Sequence, residues 1–129
     1  MTGRCLCGAV RLEVDPPLRD VVICHCSLCR RMGSLAGAYS EAPRAALKVE
    51  GELTWYLDAN ARRRGFCGSC GSTLLWDAGG ATVSIAAGAL DEPTGLRTVR
   101  HIFVPDAADW EVVPGDVTRH AAGSSSPTV

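Results

Sequence analysis

All seven cysteines of this 129-residue chain fall into three tight groups. They are Cys5-Leu6-Cys7, Cys24-His25-Cys26-Ser27-Leu28-Cys29 and Cys67-Gly68-Ser69-Cys70. Any fold this chain adopts must bring those groups together at one or two points. Cys-x-Cys and Cys-x-x-Cys spacings set neighbouring sulfurs on one ion far more readily than they staple a secreted scaffold. An odd number of cysteines also leaves one over from any set of disulfides. Thiolates can hold iron–sulfur clusters, but no spacing here demands one. The direct reading is zinc, with the sulfurs divided between a closed four-ligand site and a three-ligand site. Cys5, Cys7, Cys67 and Cys70 could form the first and Cys24, Cys26 and Cys29 the second. Spacing alone also allows Cys5 or Cys7 to join the central triplet.

The rest of the composition narrows the class. Lys and Arg number 13 against 14 Asp and Glu, a formal charge of -1, which argues against nucleic-acid binding by bulk charge. No stretch reaches the roughly 20 apolar residues a membrane span needs. Met1-Thr2-Gly3-Arg4 has no apolar core of the kind a secretory signal carries. These features predict a cytoplasmic protein, in a compartment that keeps thiols reduced.

Secondary structure reads as a succession of short strands. Val10–Val14, Leu47–Glu50 and Thr82–Ile85 alternate apolar and polar residues. Val21-Val22-Ile23 is β-branched and runs into the central cysteines, while Leu53–Leu57 and Thr73–Trp76 are rich in strand-forming residues. Further strands are expected near Leu35–Tyr39 and Val99–Val104, and a turn or one helical turn near Pro43. No segment keeps amphipathic helical periodicity over three turns. The expectation is a mainly β, antiparallel, single-domain fold over residues 3–118, followed by a disordered tail at 121–129. Trp55, Tyr56, Phe66 and Trp76 read as core residues, not as a base-stacking platform.

Several polar side chains are candidates for chemistry. His25 sits between two proposed ligands and could carry a proton or touch substrate beside an open metal position. The plainer role is a surface residue or a donor that supports the ligands. Arg64, close to the third cysteine group in the run Arg62-Arg63-Arg64, could hold a substrate carboxylate through a forked hydrogen bond or form a structural salt bridge. Arg30 and Arg31 could add to that field. His101 reads as a structural histidine, and Ser27 has no visible base to make it a nucleophile.

The cysteines and their neighbours together resemble a known family. Cys5-Leu6-Cys7-Gly8, Cys24-His25-Cys26-Ser27-Leu28-Cys29-Arg30, Gly33, Arg64-Gly65-Phe66-Cys67-Gly68-Ser69-Cys70-Gly71-Ser72, His101 and Trp110 are similar to the glutathione-dependent formaldehyde-activating enzymes, a family that includes centromere protein V-like domains. The resemblance implies an Mss4-like β-tent. It also implies a structural zinc on Cys5, Cys7, Cys67 and Cys70, and a catalytic zinc on Cys24, Cys26 and Cys29. The activity it implies is a carbon–sulfur lyase acting on a thiol–aldehyde adduct such as S-(hydroxymethyl)glutathione, with a small thiol as partner. The competing expectation is a noncatalytic zinc-stabilised module that binds a small thiol or another protein.

Overall fold

A computed structural model describes all residues from Met1 to Val129. The chain is mainly β, and no helix is long and apolar enough to cross a membrane. Its internal contacts gather into two compact units, each made from two separate stretches of chain. The first comprises Met1–Arg19 with Ser40–Gly95, and the second Asp20–Tyr39 with Leu96–Val129.

In the first unit, β1 (Thr2–Arg4), β2 (Arg11–Val14) and β5 (Leu47–Glu50) form a three-stranded antiparallel sheet with β2 in the middle. The alternation in β2 has its expected consequence: Leu12 and Val14 are buried while Arg11 and Glu13 face water. A second run of strands follows the order β9 (Thr82–Ala86), β8 (Thr73–Asp77), β7 (Arg63–Cys67), β6 (Leu53–Leu57), again antiparallel. Leu74, Leu75, Val83 and Ile85 from β8 and β9 are buried in the core of this unit. The turn between β5 and β6 depends on Gly51, whose φ of +92° suits glycine and whose missing Cβ would otherwise strike the Ala9 carbonyl. Predicted strands at Leu47–Glu50, Leu53–Leu57, Thr73–Trp76 and Thr82–Ile85 are all present. The turn near Pro43 is a short 3-10 helix over Arg44–Ala46.

One expectation fails in this unit. Trp55 and Tyr56 are not core residues: they are 38% and 58% exposed. The reason is topological, because β6 is the last strand of its sheet and pairs with β7 alone. Trp55 lies across Gly65, where any Cβ would stand about 3.0 Å from the indole, and the Arg63 guanidinium stacks 4.1 Å from the ring centre.

The second unit departs from the antiparallel expectation. β10 (Thr98–Ile102) pairs in parallel with β3 (Arg19–Cys24) over residues from Val21 onward, and in parallel with β11 (Thr118–Arg119). The intervening chain is long enough for such crossovers, whereas tight hairpins would have forced antiparallel pairing. The central cysteine group also contains a helix, α1 (Ser27–Gly33), too short to leave a periodic signal in the sequence. β4 (Gly37–Pro43) is the strand on which the two units divide.

The terminal segment 121–129 is the other correction. It folds back rather than trailing free: Ala121 N–H donates to the Pro127 carbonyl at 2.9 Å, and Val129 N–H to the Arg119 carbonyl at 3.0 Å. The Ser126 hydroxyl accepts from Ala122 N–H at 2.8 Å. Gly, Ser and Pro gave the segment nothing to bury, but they are also turn formers, and the turn they make closes on itself.

Candidate metal centres

The first centre is assembled from two knuckles. Cys5 follows β1, and the chain reverses at Gly8, so that Val10 N–H donates to the Cys5 sulfur at 3.3 Å. Cys67 ends β7, and the turn to β8 is closed by Gly71 N–H to the Cys67 carbonyl at 2.8 Å and Cys67 N–H to the Ser72 carbonyl at 3.0 Å. Leu6 N–H reaches across to the Ser72 hydroxyl at 2.9 Å, tying one knuckle to the other. The four sulfurs lie within 4.8 Å of one another, with Cys5–Cys7 at 3.6 Å and Cys7–Cys67 at 3.8 Å. A tetrahedron with Zn–S bonds of about 2.3 Å has edges of about 3.8 Å, so the donor set fits zinc. This settles the sequence ambiguity: Cys5 and Cys7 group with Cys67 and Cys70, and not with the central triplet.

The second centre is built differently. Cys24 is the last residue of β3, Cys26 caps α1 through a hydrogen bond from Cys29 N–H at 3.3 Å, and Cys29 is buried in the first turn. The three sulfurs again lie within 4.8 Å of one another, and three is the full set of protein ligands in the group. Gly37 leaves room beside them, since a Cβ there would stand 3.2 Å from the Cys29 sulfur. Cys24, Cys26 and Cys29 are therefore also fit to hold zinc.

Proton affinities show what crowding sulfurs costs. In the triplet, hydrogen bonds from the Cys24 and Cys29 thiols hold Cys26 down at about 2, while Cys26 and then Cys29 push Cys24 far up. In the four-sulfur group, the Ser72 hydroxyl holds Cys70 at about 5. The Ala9 N–H lowers Cys7, but its sulfur neighbours and burial outweigh that and raise it to about 11. In the triplet, Cys26 becomes acidic chiefly because its two neighbours keep their protons. A cation at the centre removes that conflict by stabilising every thiolate at once.

His25, between two triplet ligands, is not a surface residue. It is 2% exposed, with Nε2 2.8 Å from His101 Nδ1 and Nδ1 2.7 Å from Glu111 Oε1. The Glu111 contact has ion-pair distance without the alignment of a good hydrogen bond. Only three buried side-chain polar atoms lack a hydrogen bond: His25 Nδ1, Glu111 Oε2 and Arg30 Nε. All three belong to the unit that carries the triplet, and His25 and Arg30 adjoin its ligands in the chain. Burial, and then the charge of His25, lowers the His101 pKa, which favours its neutral form. Sequence reasoning gave His101 a merely structural part and did not single out Glu111. The parallel register that sets His101 opposite Ile23 is a long-range pairing with no local signal.

Arg64 is placed in the first unit, 4% exposed, with Nε donating to Asp58 Oδ2 at 2.8 Å. Burial raises the Asp58 carboxyl, but Arg64 and the N–H groups of Arg62 and Asn60 outweigh it and hold it below its usual value. This arrangement is the structural salt bridge rather than a free carboxylate-binding fork. A second pair joins the half-exposed Arg44 to the buried Asp77, at 2.6 and 2.9 Å.

The sequence model of the family described as glutathione-dependent formaldehyde-activating enzyme matches residues 1–106, a span that includes all seven cysteines and His101 but ends before Glu111. No curated protein matches the chain. Among solved structures, a Rhodobacter sphaeroides protein from a structural-genomics programme is similar at 28% identity. Its TM-score is 0.61, over 71% of this chain and 89% of that one.

Proposed function

The chain belongs to the glutathione-dependent formaldehyde-activating enzyme family, and from that premise we propose that it is a zinc-dependent carbon–sulfur lyase acting on the adduct of a small thiol with an aldehyde. S-(hydroxymethyl)glutathione is the type of substrate the family name supplies. The observation that carries this reading is the contrast in ligand number: four sulfurs in one group and three in the other. Zinc prefers four ligands, and an ion held by Cys24, Cys26 and Cys29 would supply affinity for a soft thiolate and polarise an oxygen beside it.

The chemistry asks little else of the protein. Cleaving an S-hydroxymethyl adduct breaks its carbon–sulfur bond and gives the free thiol and formaldehyde, so the hydroxyl loses one proton and the sulfur gains one. A single base that takes the first proton and returns it to sulfur balances the reaction. His25 and His101 are the candidates, as a pair sharing the 2.8 Å contact between Nε2 and Nδ1. Glu111 orients the pair from the other side by facing His25 Nδ1. A carboxylate there favours the tautomer with its proton on Nδ1, which leaves His25 Nε2 to accept from His101 Nδ1–H. The reduced thiols this requires are in keeping with a cytoplasmic setting.

Steady-state turnover of a panel of thiol–aldehyde adducts by zinc-loaded protein tests the proposal. Cys26→Ser should abolish turnover, and Glu111→Gln should lower kcat more than it raises KM. Binding of thiols with no turnover of any adduct would leave the noncatalytic thiol-binding module as the better account.

A further inference from the structure

We propose that β6 is a self-association edge, through which two copies of this chain join by antiparallel pairing of Leu53–Leu57 about a two-fold axis. Nothing in the thiol chemistry requires such a surface. It follows from the backbone and side chains of one strand.

β6 has β7 on one side and no strand on the other, so one row of its N–H and C=O groups lacks ladder partners. Exposed edges of this kind are ordinarily guarded by charge, proline or a bulge. β5, at the edge of the other sheet in the same unit, carries Lys48 and Glu50. β6 reads Leu-Thr-Trp-Tyr-Leu, with no charge and no proline. The irregularity nearest to it falls one strand further in, between β7 and β8 at Gly65/Phe66. Tyr56 and Leu57 are 58% and 63% exposed, although they point to opposite faces of the sheet.

The charges at the two ends of β6 specify the occupant as a second copy. Exposed Glu50 and Glu52 precede the strand, and exposed Arg62 and Arg63 follow its turn. None of the four forms a salt bridge within the chain. A two-fold axis through Trp55 pairs Leu53 with the partner's Leu57 and Thr54 with the partner's Tyr56. The same axis brings the acidic entry of each strand to the basic exit of the other, twice over by symmetry. Glu52 then stands opposite Asp58 of the partner, whose buried carboxylate is already held by Arg64, and next to the exposed Arg62, whose carbonyl accepts from Asp58 N–H at 2.8 Å. Leu53, Trp55 and Leu57 form one continuous apolar stripe with their symmetry mates.

Sedimentation equilibrium of the full metal-loaded chain, over a concentration series at low and high salt, tests this. The expected result is a dimer whose population rises with concentration and falls with salt. Glu52→Arg and Arg62→Glu should each weaken association by about tenfold or more, because each sets like charges against each other at both ends. An equimolar mixture of those two variants should recover the wild-type association, since all four facing charges are again opposite. Tyr56→Lys should leave a monomer with unchanged thermal unfolding. A wild-type chain that stays monomeric throughout, single swaps that leave the dissociation constant unchanged, or a mixture that fails to recover association would each overturn the proposal.

Discussion

The four-sulfur group and the three-sulfur group are built from the same side chain in opposite ways. Cys5, Cys7, Cys67 and Cys70 join the first strand of one unit to the middle of that same unit, across a sequence separation of 60 between Cys7 and Cys67. Their turns are closed by backbone hydrogen bonds, and the Leu6–Ser72 contact bolts one knuckle to the other. Cys24, Cys26 and Cys29 connect nothing distant. They occupy six residues where a strand gives way to a short helix, and their surroundings hold buried polar atoms that the chain leaves without hydrogen bonds. Groups of that kind are costly to bury and call for an explanation beyond stability. All three of these atoms lie in the unit that carries the triplet, and none in the unit that carries the four-sulfur group.

Mutation of the two groups should therefore separate stability from chemistry. Cys67→Ser is expected to give the largest loss of thermal stability, with release of one zinc, because structural zinc binding contributes to folding outright. Cys26→Ser should release one zinc as well but lower the unfolding temperature much less. Equal or reversed losses, measured by thermal unfolding and zinc content together, would break the distinction.

Arg64→Ala comes next in size. It leaves the Asp58 carboxylate, 2% exposed in its side chain, without its cation, at a cost of about 3–5 kcal/mol in denaturant unfolding. The thiol preference of the triplet should not change, since this arginine is committed to Asp58. A shift in preference toward neutral over acidic thiols would return Arg64 to the role of a substrate contact.

Glu111→Gln should cost less stability than Arg64→Ala, yet alter the triplet's surroundings visibly. The nitrogen-15 signals of His25 should show a changed tautomer balance, and Glu111→Asp should recover part of the change. Unaltered histidine signals would remove Glu111 from its positioning role.

The smallest effect concerns acid. Hydrogen bonds from Arg44 hold the Asp77 carboxyl at about 2, below its ordinary 3.8. A lowered carboxyl pKa contributes stability that is fully present above 3.8 and is lost as pH falls toward 2. Asp77→Asn should flatten the acid limb of the stability curve over that window, and it should do so equally in protein lacking the triplet metal. An unchanged acid limb would show that the pair, with Arg44 46% exposed, contributes nothing measurable.

What the sequence revealed was what short spacing and local alternation encode. The clustering of the seven cysteines, the Leu12 and Val14 face of β2, and the strands at Leu53–Leu57 and Thr82–Ile85 all follow from neighbours within a few residues. The partition of the cysteines needed either a family resemblance or the fold, because Cys5 and Cys67 are far apart in the chain. The polar partners of His25 were illegible for the same reason: His101 lies 76 residues away and Glu111 further still. The exposure of Trp55 and Tyr56 was hidden differently. Strand propensity says that a segment is extended, but not whether it lies at the centre or the edge of its sheet.

Cobalt in place of zinc gives the most direct test of the contrast between the two centres. Adding a small thiol to fully loaded cobalt protein should change the d–d bands of one ion only. That response should persist in Arg64→Ala and vanish in Cys26→Ser. Bands that stay fixed across neutral and acidic thiols, with both ions four-coordinate to protein ligands alone, would contradict the assignment of a closed clasp and an open triplet.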